Sequence, residues 1–559
     1  MGLYLLDYGA GNVQSLANSI MKLGYNFTWI AQPADFAKAT ALIFPGVGAF
    51  ETAIEHLSNR GLLEPLRDYI NSGKPYFGIC IGMQVLFQSS AESLSKGLGI
   101  IPCPIEAFDN IEKPVPHMGW NSANLLNPVE GTTDPIDASY YYFVHSYCAK
   151  YDPLRYPAAA EWAHTTTQYG QEIFISSLRR GNIFGTQFHP EKSGAVGLAL
   201  LDKWLGNSGK FPPHSAFGMP RGVISKGEKH YPTKRIIACM DVRANDEGDL
   251  VVTKGDQYDV RERSDSTPDS LIAKAAGAVR NLGKPVALAE RYYLMGADEI
   301  CLLNITSFRY SPLQDQPMLA IVRAAAERVF VPLTIGGGIK DTVDPDGTKR
   351  SALEVAGAYF RAGADKVSIG SEAVYAVERL RHHGKGDGTS AIETIARVYG
   401  RQAVVVSVDP RRVYVDPKTY EGPYKDELVV GLLDSAETER EKAWWYQCTV
   451  SGGRESREIS VVELARGVEI LGAGEILLNS IDRDGTGIGF DLALIALVKK
   501  NVGIPVIASS GAGRAEHFTE VFEKTGVEAA LAAGIFHRGE VEIEGVKVAL
   551  RAKDIPVRV

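Results

Sequence analysis

Short apolar runs alternate with segments whose apolar residues recur every three to four positions along almost the whole chain. The runs read as strands and the segments as helices, an alternation that marks α/β architecture. The pattern breaks at "GNSGKFPPHSAFGMPRGVISKGEKHYPTK" (206–234), where prolines and glycines replace periodicity. Such a stretch is a linker or docking segment. It divides the chain into a domain over 1–206, a linker over 207–233 and a second domain over 234–559.

The second domain repeats itself. "GADEICLLNI" (296–305) matches "GAGEILLNSI" (472–481), and "IIACMDVR" (236–243) resembles "VVVSVDPR" (404–411). "LTIGGGI" pairs with "ASSGAGR", and "GADKVSIGSEAV" with "GVEAALAAGIF", in the same order. Four short strands per copy, each followed by a helical stretch, make eight βα units. A (β/α)8 barrel built from two half-barrels is the closure this predicts.

Composition narrows the partners. A formal charge of −8 and a pI near 5.9 argue against a nucleic-acid or anionic-membrane surface. Six scattered cysteines with no CxxC pair suit a reducing compartment, and no metal or cofactor is expected. No apolar run approaches the ~18 residues of a membrane span. "MGLYLLDYGAGN" enters a strand-like run by residue 3, so no signal or transit peptide is expected and the chain reads as cytoplasmic or already processed.

Three motifs in the first domain carry chemistry. In "FGICIGMQ" (77–84), Cys80 stands between Gly78 and Gly82, the cysteine form of a nucleophile elbow, whose crowded backbone favours small neighbours. The turn would expose the sulfur at a strand's end, and a following helix N-terminus would favour thiolate. "TQFHPEKSG" (186–194) supplies a base, His189, and a carboxylate to orient it, Glu191. In "LIFPGVGAF" (42–50) a strand runs into a turn whose backbone N–H groups, at Gly46, Val47 and Gly48, could face an oxyanion.

Together these motifs resemble class I glutamine amidotransferases, whose domain is an open α/β sheet. "DYGAGNVQSL", "HMGWN" and "YYFVHSY" narrow the resemblance to the glutaminase of the imidazole glycerol phosphate synthase family, over nearly all of residues 1–205. The resemblance implies that Cys80 attacks the glutamine side-chain amide to form a thioester and release ammonia. It further implies that Gln84, His145, Ser146 and Tyr147 grip the glutamine and that the Ile81 N–H is a second oxyanion donor.

Barrels keep their active sites at the C-terminal ends of their strands. "RIIACMD" ends in Asp241 and "AVVVSVD" in Asp409, so repeat symmetry sets two carboxylates across the mouth, a general acid and a general base for ring closure. Two glycine-rich sets would cradle phosphates. One is Gly336, Gly337 and Gly338 with Ser368, Gly370 and Ser371; the other is Gly485, Ser510, Gly511, Ala533 and Gly534. Matched cradles suggest a ligand with a phosphate at each end, which Lys254 could reach from a loop.

This half resembles the cyclase barrel of the same family, a (β/α)8 fold, over roughly 233–555. The family's substrates are glutamine and a phosphoribulosyl-formimino carboxamide ribonucleotide; its products are imidazole glycerol phosphate and an aminoimidazole carboxamide ribonucleotide. The resemblance carries Asp241 and Asp409 as the acid/base pair, Lys254 as a loop ligand, and Asp482 and Asp484 as further mouth residues. Two departures stand out: Asn304 where related barrels often have aspartate, and Gly370-Ser371 where they often have Asn-Thr.

Free ammonia is mostly ammonium at neutral pH, so a passage through the barrel would keep it nucleophilic. Arg235, Glu299, Lys366 and Glu475 begin the first, second, fourth and sixth strands and sum to zero charge. Unpaired, four barrel-facing charges would be costly, which predicts an ion-paired ring. The family resemblance makes that ring a gate and sets Lys192 against Asp365 across the domain interface. The expected assembly is a monomer whose domains are each other's partners. The alternatives are a glutaminase feeding another acceptor and a non-catalytic glutamine sensor.

Overall fold

The computed structural model describes residues 2–9, 11–46, 48–126, 136, 139–207, 229–244, 250–253, 284–305, 317–431, 439–440 and 442–559. Most of the linker, Val47 and Lys254 lie outside the described residues.

The first domain is built on a nine-stranded sheet. Five parallel strands run in the order Thr28–Ile30, Leu3–Leu6, Ala41–Phe44, Tyr76–Ile79, Ile183–Thr186. The sheet continues antiparallel through Glu172–Arg180, Ala163–Tyr169, His117–Leu125 and Ser139–His145. Central strands buried on both faces need apolar residues throughout, which is why Ala41–Phe44 and Tyr76–Ile79 read as unbroken runs and are buried end to end.

The second domain is a closed barrel of eight parallel strands: Arg235–Ala244, Glu299–Asn304, Leu333–Gly336, Lys366–Ile369, Val404–Val408, Glu475–Leu478, Val506–Ala508 and Ala529–Ala532. The first strand pairs with the eighth, Arg235 opposite Ala529, which closes the ring. The repeated Gly-Ala dipeptide has a mechanical reason. Gly296 and Gly472 follow the helices Pro285–Leu294 and Val461–Leu471 with φ of 88° and 105°, a left-handed turn that delivers the chain to the next strand. Ile237, Cys239, Cys301, Val405, Leu477, Ile507, Ala529 and Leu531 fill the barrel interior as a separate apolar cluster. The alternate residues of the first strand, Ile236, Ala238, Met240 and Val242, face outward into the layer under the helices.

One boundary differs from the sequence reading. The first strand does not end at Asp241 but continues to Ala244, because Leu250–Thr253 pairs with it antiparallel, Asp241 opposite Thr253. A returning strand satisfies backbone groups that the barrel alone would leave open.

Arg235, Glu299, Lys366 and Glu475 are the first residues of their strands and meet at the barrel's bottom. Arg235 contacts Glu299 at 2.8 Å and also Glu475; Lys366 contacts Glu299 at 2.8 Å and Glu475 at 2.6 Å. No member exposes more than 1% of its side chain. Burial would raise the Glu475 carboxyl, but Arg235 and Lys366 outweigh it and hold it below the usual range. Glu475→Gln leaves two buried cations facing one anion and should cost about 3 kcal/mol. Because a lowered carboxyl stabilises the fold above its unfolded value and loses that effect as pH falls, the deficit should be full above roughly pH 5 and shrink in acid. Thermal melts of both proteins across pH check this.

Candidate functional site

The elbow forms because three backbone segments approach closely. A Cβ on Gly78 would lie 2.3 Å from the Gly82 carbonyl oxygen, and one on Gly82 would lie 2.1 Å from that of Phe44. Only glycine fits at either position. Cys80 is held between them at φ 51°, ψ −103°, an unusual conformation for a residue with a side chain, while its N–H donates to Thr186 O at 2.7 Å. The helix that follows, Ile81–Gln84, is a single turn, so its dipole at the sulfur is weaker than the apolar pattern suggested. A Cβ on Gly46 would come within 2.7 Å of Ile81 Cβ, which places the Pro-Gly turn and the Ile81 backbone side by side.

His189 and Glu191 lie at the end of the neighbouring strand, with His189 Nδ1 and Glu191 Oε1 2.7 Å apart. Burial opposes the imidazolium, but Glu191 and then Cys80 outweigh it, and His189 is pushed up to about 10. Its Nε2 makes no well-aligned hydrogen bond, although Sγ is close enough to favour the proton there.

Gln187 was not singled out from the sequence. Its amide donates to Cys80 Sγ at 3.5 Å, and Gln84 donates both to Gln187 Oε1 at 3.0 Å and to Tyr147 O at 3.1 Å. The signal was its place two residues before His189, just past the end of the strand Ile183–Thr186. His145 stands behind Tyr147, bonding Tyr147 O at 2.8 Å through Nδ1 and His117 at 3.0 Å through Nε2. A carbonyl can only accept, so Nδ1 carries the proton and burial holds His145 neutral, down to about 3. Ser146 Oγ is buried without a partner. Glu92 was also missed: it accepts the Phe50 N–H at 2.8 Å, and burial pushes it up to about 7.

A second centre opens at the other end of the barrel as a cavity of about 610 Å³. Asp241 and Asp409 both line it, as do Asp482, Asp484, Gly485, Ser510, Gly511, Ala533 and Gly534. Gly336, Gly337, Gly338, Ser368, Gly370 and Ser371 do not line it; they lie on the third and fourth βα turns, where Gly370 precedes the thirteen-residue helix Ser371–His383. Burial, then the nearby Asp484, pushes Asp241 up to about 7. Burial also raises Asp409, opposed by Asn479, whose amide donates to Asp409 Oδ1 at 2.6 Å.

The two centres face each other through the domain interface. Lys192 Nζ and Asp365 Oδ2 are 2.7 Å apart and nearly buried, close enough to pair although the ammonium is poorly aligned for a hydrogen bond. Asn12 donates to Asp365 Oδ1 at 2.8 Å, Gly194 N–H to Phe330 O at 2.9 Å and Trp120 Nε1 to Asp298 O at 3.2 Å. Tyr142, His189, Lys192, Asp365, Lys366 and Gln402 surround a void of about 10 Å³ between the triad and the ring of charges. That is room for roughly one water-sized molecule.

Comparison with known proteins matches residues 4–204 to the class-I glutamine amidotransferase family and residues 235–542 to the histidine biosynthesis protein family. The chain is 52% identical over 562 aligned residues to a protein of Emericella nidulans, covering 100% of this chain and 98% of the relative. It is 50% identical to one of Schizosaccharomyces pombe, covering 99% of each. Both are named imidazole glycerol phosphate synthase hisHF, and a chloroplastic protein of that name from Arabidopsis thaliana is 52% identical, covering 99% of this chain and 89% of the relative.

Gln187→Leu removes a donor from the sulfur while keeping the side chain's bulk. Alkylation of Cys80 by iodoacetamide at neutral pH should slow roughly tenfold, since a hydrogen bond to a charged group is worth ~1.5–3 kcal/mol. Mass spectrometry of the Cys80 peptide against time measures it, and an unchanged rate would remove Gln187 from the site.

Proposed function

We propose a division of labour for this chain, which belongs to the imidazole glycerol phosphate synthase hisHF family. The chain is a glutamine-dependent imidazole glycerol phosphate synthase, with a glutamine amidotransferase domain and a cyclase barrel as partners within one polypeptide. The domain limits are 1–206, 207–233 for the linker and 234–559. The observation that carries the assignment of roles is the placement of a Cys80–His189–Glu191 constellation and a carboxylate-lined cavity on opposite sides of one ring of charges.

In the first domain Cys80 attacks the glutamine amide carbon, with backbone N–H groups of the Pro-Gly turn and Ile81 facing the oxyanion. His189 returns its proton to the leaving nitrogen, ammonia departs, and water hydrolyses the thioester to glutamate. Gln84, Ser146 and Tyr147 hold the substrate, His145 supports Tyr147 from behind, and Glu92, desolvated and without a cationic partner of its own, suits the α-ammonium of glutamine, which would draw it to the carboxylate form. Ammonia then crosses the small void and the charge ring into the barrel interior, whose apolar lining cannot protonate it.

In the barrel, ammonia and the phosphoribulosyl substrate give imidazole glycerol phosphate, the aminoimidazole carboxamide ribonucleotide and water. Asp241 and Asp409 exchange the protons this requires. The loops that carry Asp482, Asp484 and the glycine-rich turns hold the two phosphates and the chain between them, with Lys254 reaching in from its loop. A monomer in the cytoplasm fits the intramolecular pairing and the six free cysteines. Among the described residues no helix is long and apolar enough to cross a membrane.

Cys80→Ala should abolish glutamine-dependent synthesis and leave synthesis from ammonium salts at high pH. Loss of both activities would sink the two-site division, and glutamate release without cyclised product would favour another acceptor. A wild-type chain that releases no glutamate with the phosphoribulosyl substrate present would instead be a glutamine sensor.

Lys192→Ala and Asp365→Ala should each weaken substrate-stimulated glutamine hydrolysis by ~2–5 kcal/mol of coupling while sparing the ammonia reaction, because each strands the other's charge. The double variant should be little worse than either single one, and strictly additive losses would separate the two residues.

A further inference from the structure

The half-barrel repeat makes the two aspartates equivalent in position but not in surroundings. In the parallel ladder Asp241 stands opposite Leu303 on the second strand. In the other half Val408 stands opposite Leu478, so Asp409, one residue past the fifth strand, comes level with Asn479, one residue past the sixth. Leu303 and Asn479 are the same position of the repeat, the eighth residue of "GADEICLLNI" and of "GAGEILLNSI". One copy therefore sets an apolar side chain beside its carboxylate and the other sets an amide.

Both donors of the amide nitrogen are engaged. Asn479 Nδ2 donates to Asp409 Oδ1 at 2.6 Å and to Ser407 Oγ at 3.1 Å. Ser407 lies two residues before Asp409 on the fifth strand, so it fixes the amide's orientation from the same side. Leu303 has no polar atom to offer, and it lines the cavity together with Asp241.

We propose that Asn479 is a positioning residue that sets the direction of proton transfer in the cyclase cavity: Asp409, held by the amide, serves as the carboxylate base, and Asp241, facing Leu303, serves as the acid. The inference rests on the reading of these aspartates as an acid/base pair. As the second C–N bond of the imidazole forms, Asp409 accepts a proton from the nitrogen that entered as ammonia. Asp241 gives its proton to the nitrogen of the departing aminoimidazole carboxamide ribonucleotide as that C–N bond breaks. One proton is taken and one given, and exchange between the two carboxyls through the cavity restores the starting state.

The electrostatics agree with the geometry. The ionisable groups facing Asp241 among the described residues are Asp484 and the Cys239 thiol; those facing Asp409 are Asp484 and the Cys448 thiol. Asp484 is common to both and so separates neither. Arg411, Arg412, Arg454, Arg538, His537 and Asp482 line the same cavity but are engaged elsewhere: Arg411 with Gly453 O, Arg412 with Asp491 and Glu439, Arg454 with Ser451 O, Arg538 with Glu540, His537 with the Tyr292 hydroxyl, and Asp482 with the Arg412 N–H. Among the described residues the hydrogen bond from Asn479 is the one lowering influence on either carboxyl, and it acts on Asp409 alone. Asp241, pushed up to about 7, keeps a proton to give at neutral pH.

The test uses the full chain with ammonium salts as nitrogen source, rates expressed per free ammonia, and pH varied around neutrality. Asn479→Leu should move the acidic limb of kcat to higher pH and lower the neutral rate roughly tenfold, with KM for the phosphoribulosyl substrate unchanged. Leu303→Asn should move the alkaline limb to lower pH, and it reports independently if Asn479→Leu does not fold. A loss in Asn479→Leu that is the same at every pH, or that falls on KM alone, overturns the proposal. Asp241→Asn and Asp409→Asn separate it from the reading it rests on. If either retains near-normal ammonia-dependent turnover, the acid/base reading fails; if both are inactive while neither limb moves in the Asn479 and Leu303 variants, only the role of Asn479 fails.

Discussion

Four fully buried charges can share the bottom of a barrel only if each is paired, and this requirement organises much of the molecule. Removing one ion from water costs several kcal/mol even after relaxation, so the ring of Arg235, Glu299, Lys366 and Glu475 is tolerable only as an alternating, neutral set. Each member is the first residue of its strand, so the pairing also fixes where those strands begin. Lys366 follows Asp365, which reaches Lys192, and Lys192 lies three residues from His189. Two short stretches of backbone and one ion pair thus join His189 to the barrel floor.

The position of Cys80 depends on a different constraint, the near contact of backbones. Gly78, Gly82 and Gly46 bring the elbow, its one-turn helix and the Pro-Gly turn within distances that any Cβ would violate. That crowding forces Cys80 into its unusual backbone conformation and leaves its side chain directed at Gln187 and His189. The strain is therefore coupled to chemistry: relaxing the backbone would require space that the three glycines have already used.

The features legible in the sequence are those set by local rules. Apolar runs gave the strands, the internal repeat gave eight βα units, and the spacing around Cys80 and His189 gave the glycine-framed turn and the paired histidine and glutamate. The features that stayed hidden depend on partners distant in sequence. Gln187 matters because Gln84 and Cys80, a hundred residues earlier, converge on it. Glu92 matters because it is buried against the Phe50 N–H. The overshoot of the first strand past Asp241 comes from pairing with Leu250–Thr253, and a backbone hydrogen bond leaves little trace in residue type. The helix after Cys80 is present but its single-turn length could not be read from the largely apolar "IGMQVLF", because such a run does not distinguish a longer helix from one turn leading into the strand Phe87–Ser90.

A duplicated half-barrel begins with two of everything, whereas acid–base chemistry needs two groups in opposite states. Burial and Asp484 act on both aspartates and so preserve the symmetry. The distinction has to come from a position where the copies differ, close enough to touch one carboxylate. Glu299 and Glu475 show the opposite case: the same residue stands in both copies, and together the two anions balance Arg235 and Lys366, whose repeat positions carry no charge in the other copy. At Leu303 and Asn479, four residues further along the same strands, the copies part. Strand alternation ties these observations together. Residues an even number apart share a face, so the side chains that close the barrel floor and those that flank the aspartates point into the same lumen. One pair of strands thus carries a matched pair of anions at one end and unlike neighbours for the two aspartates at the other.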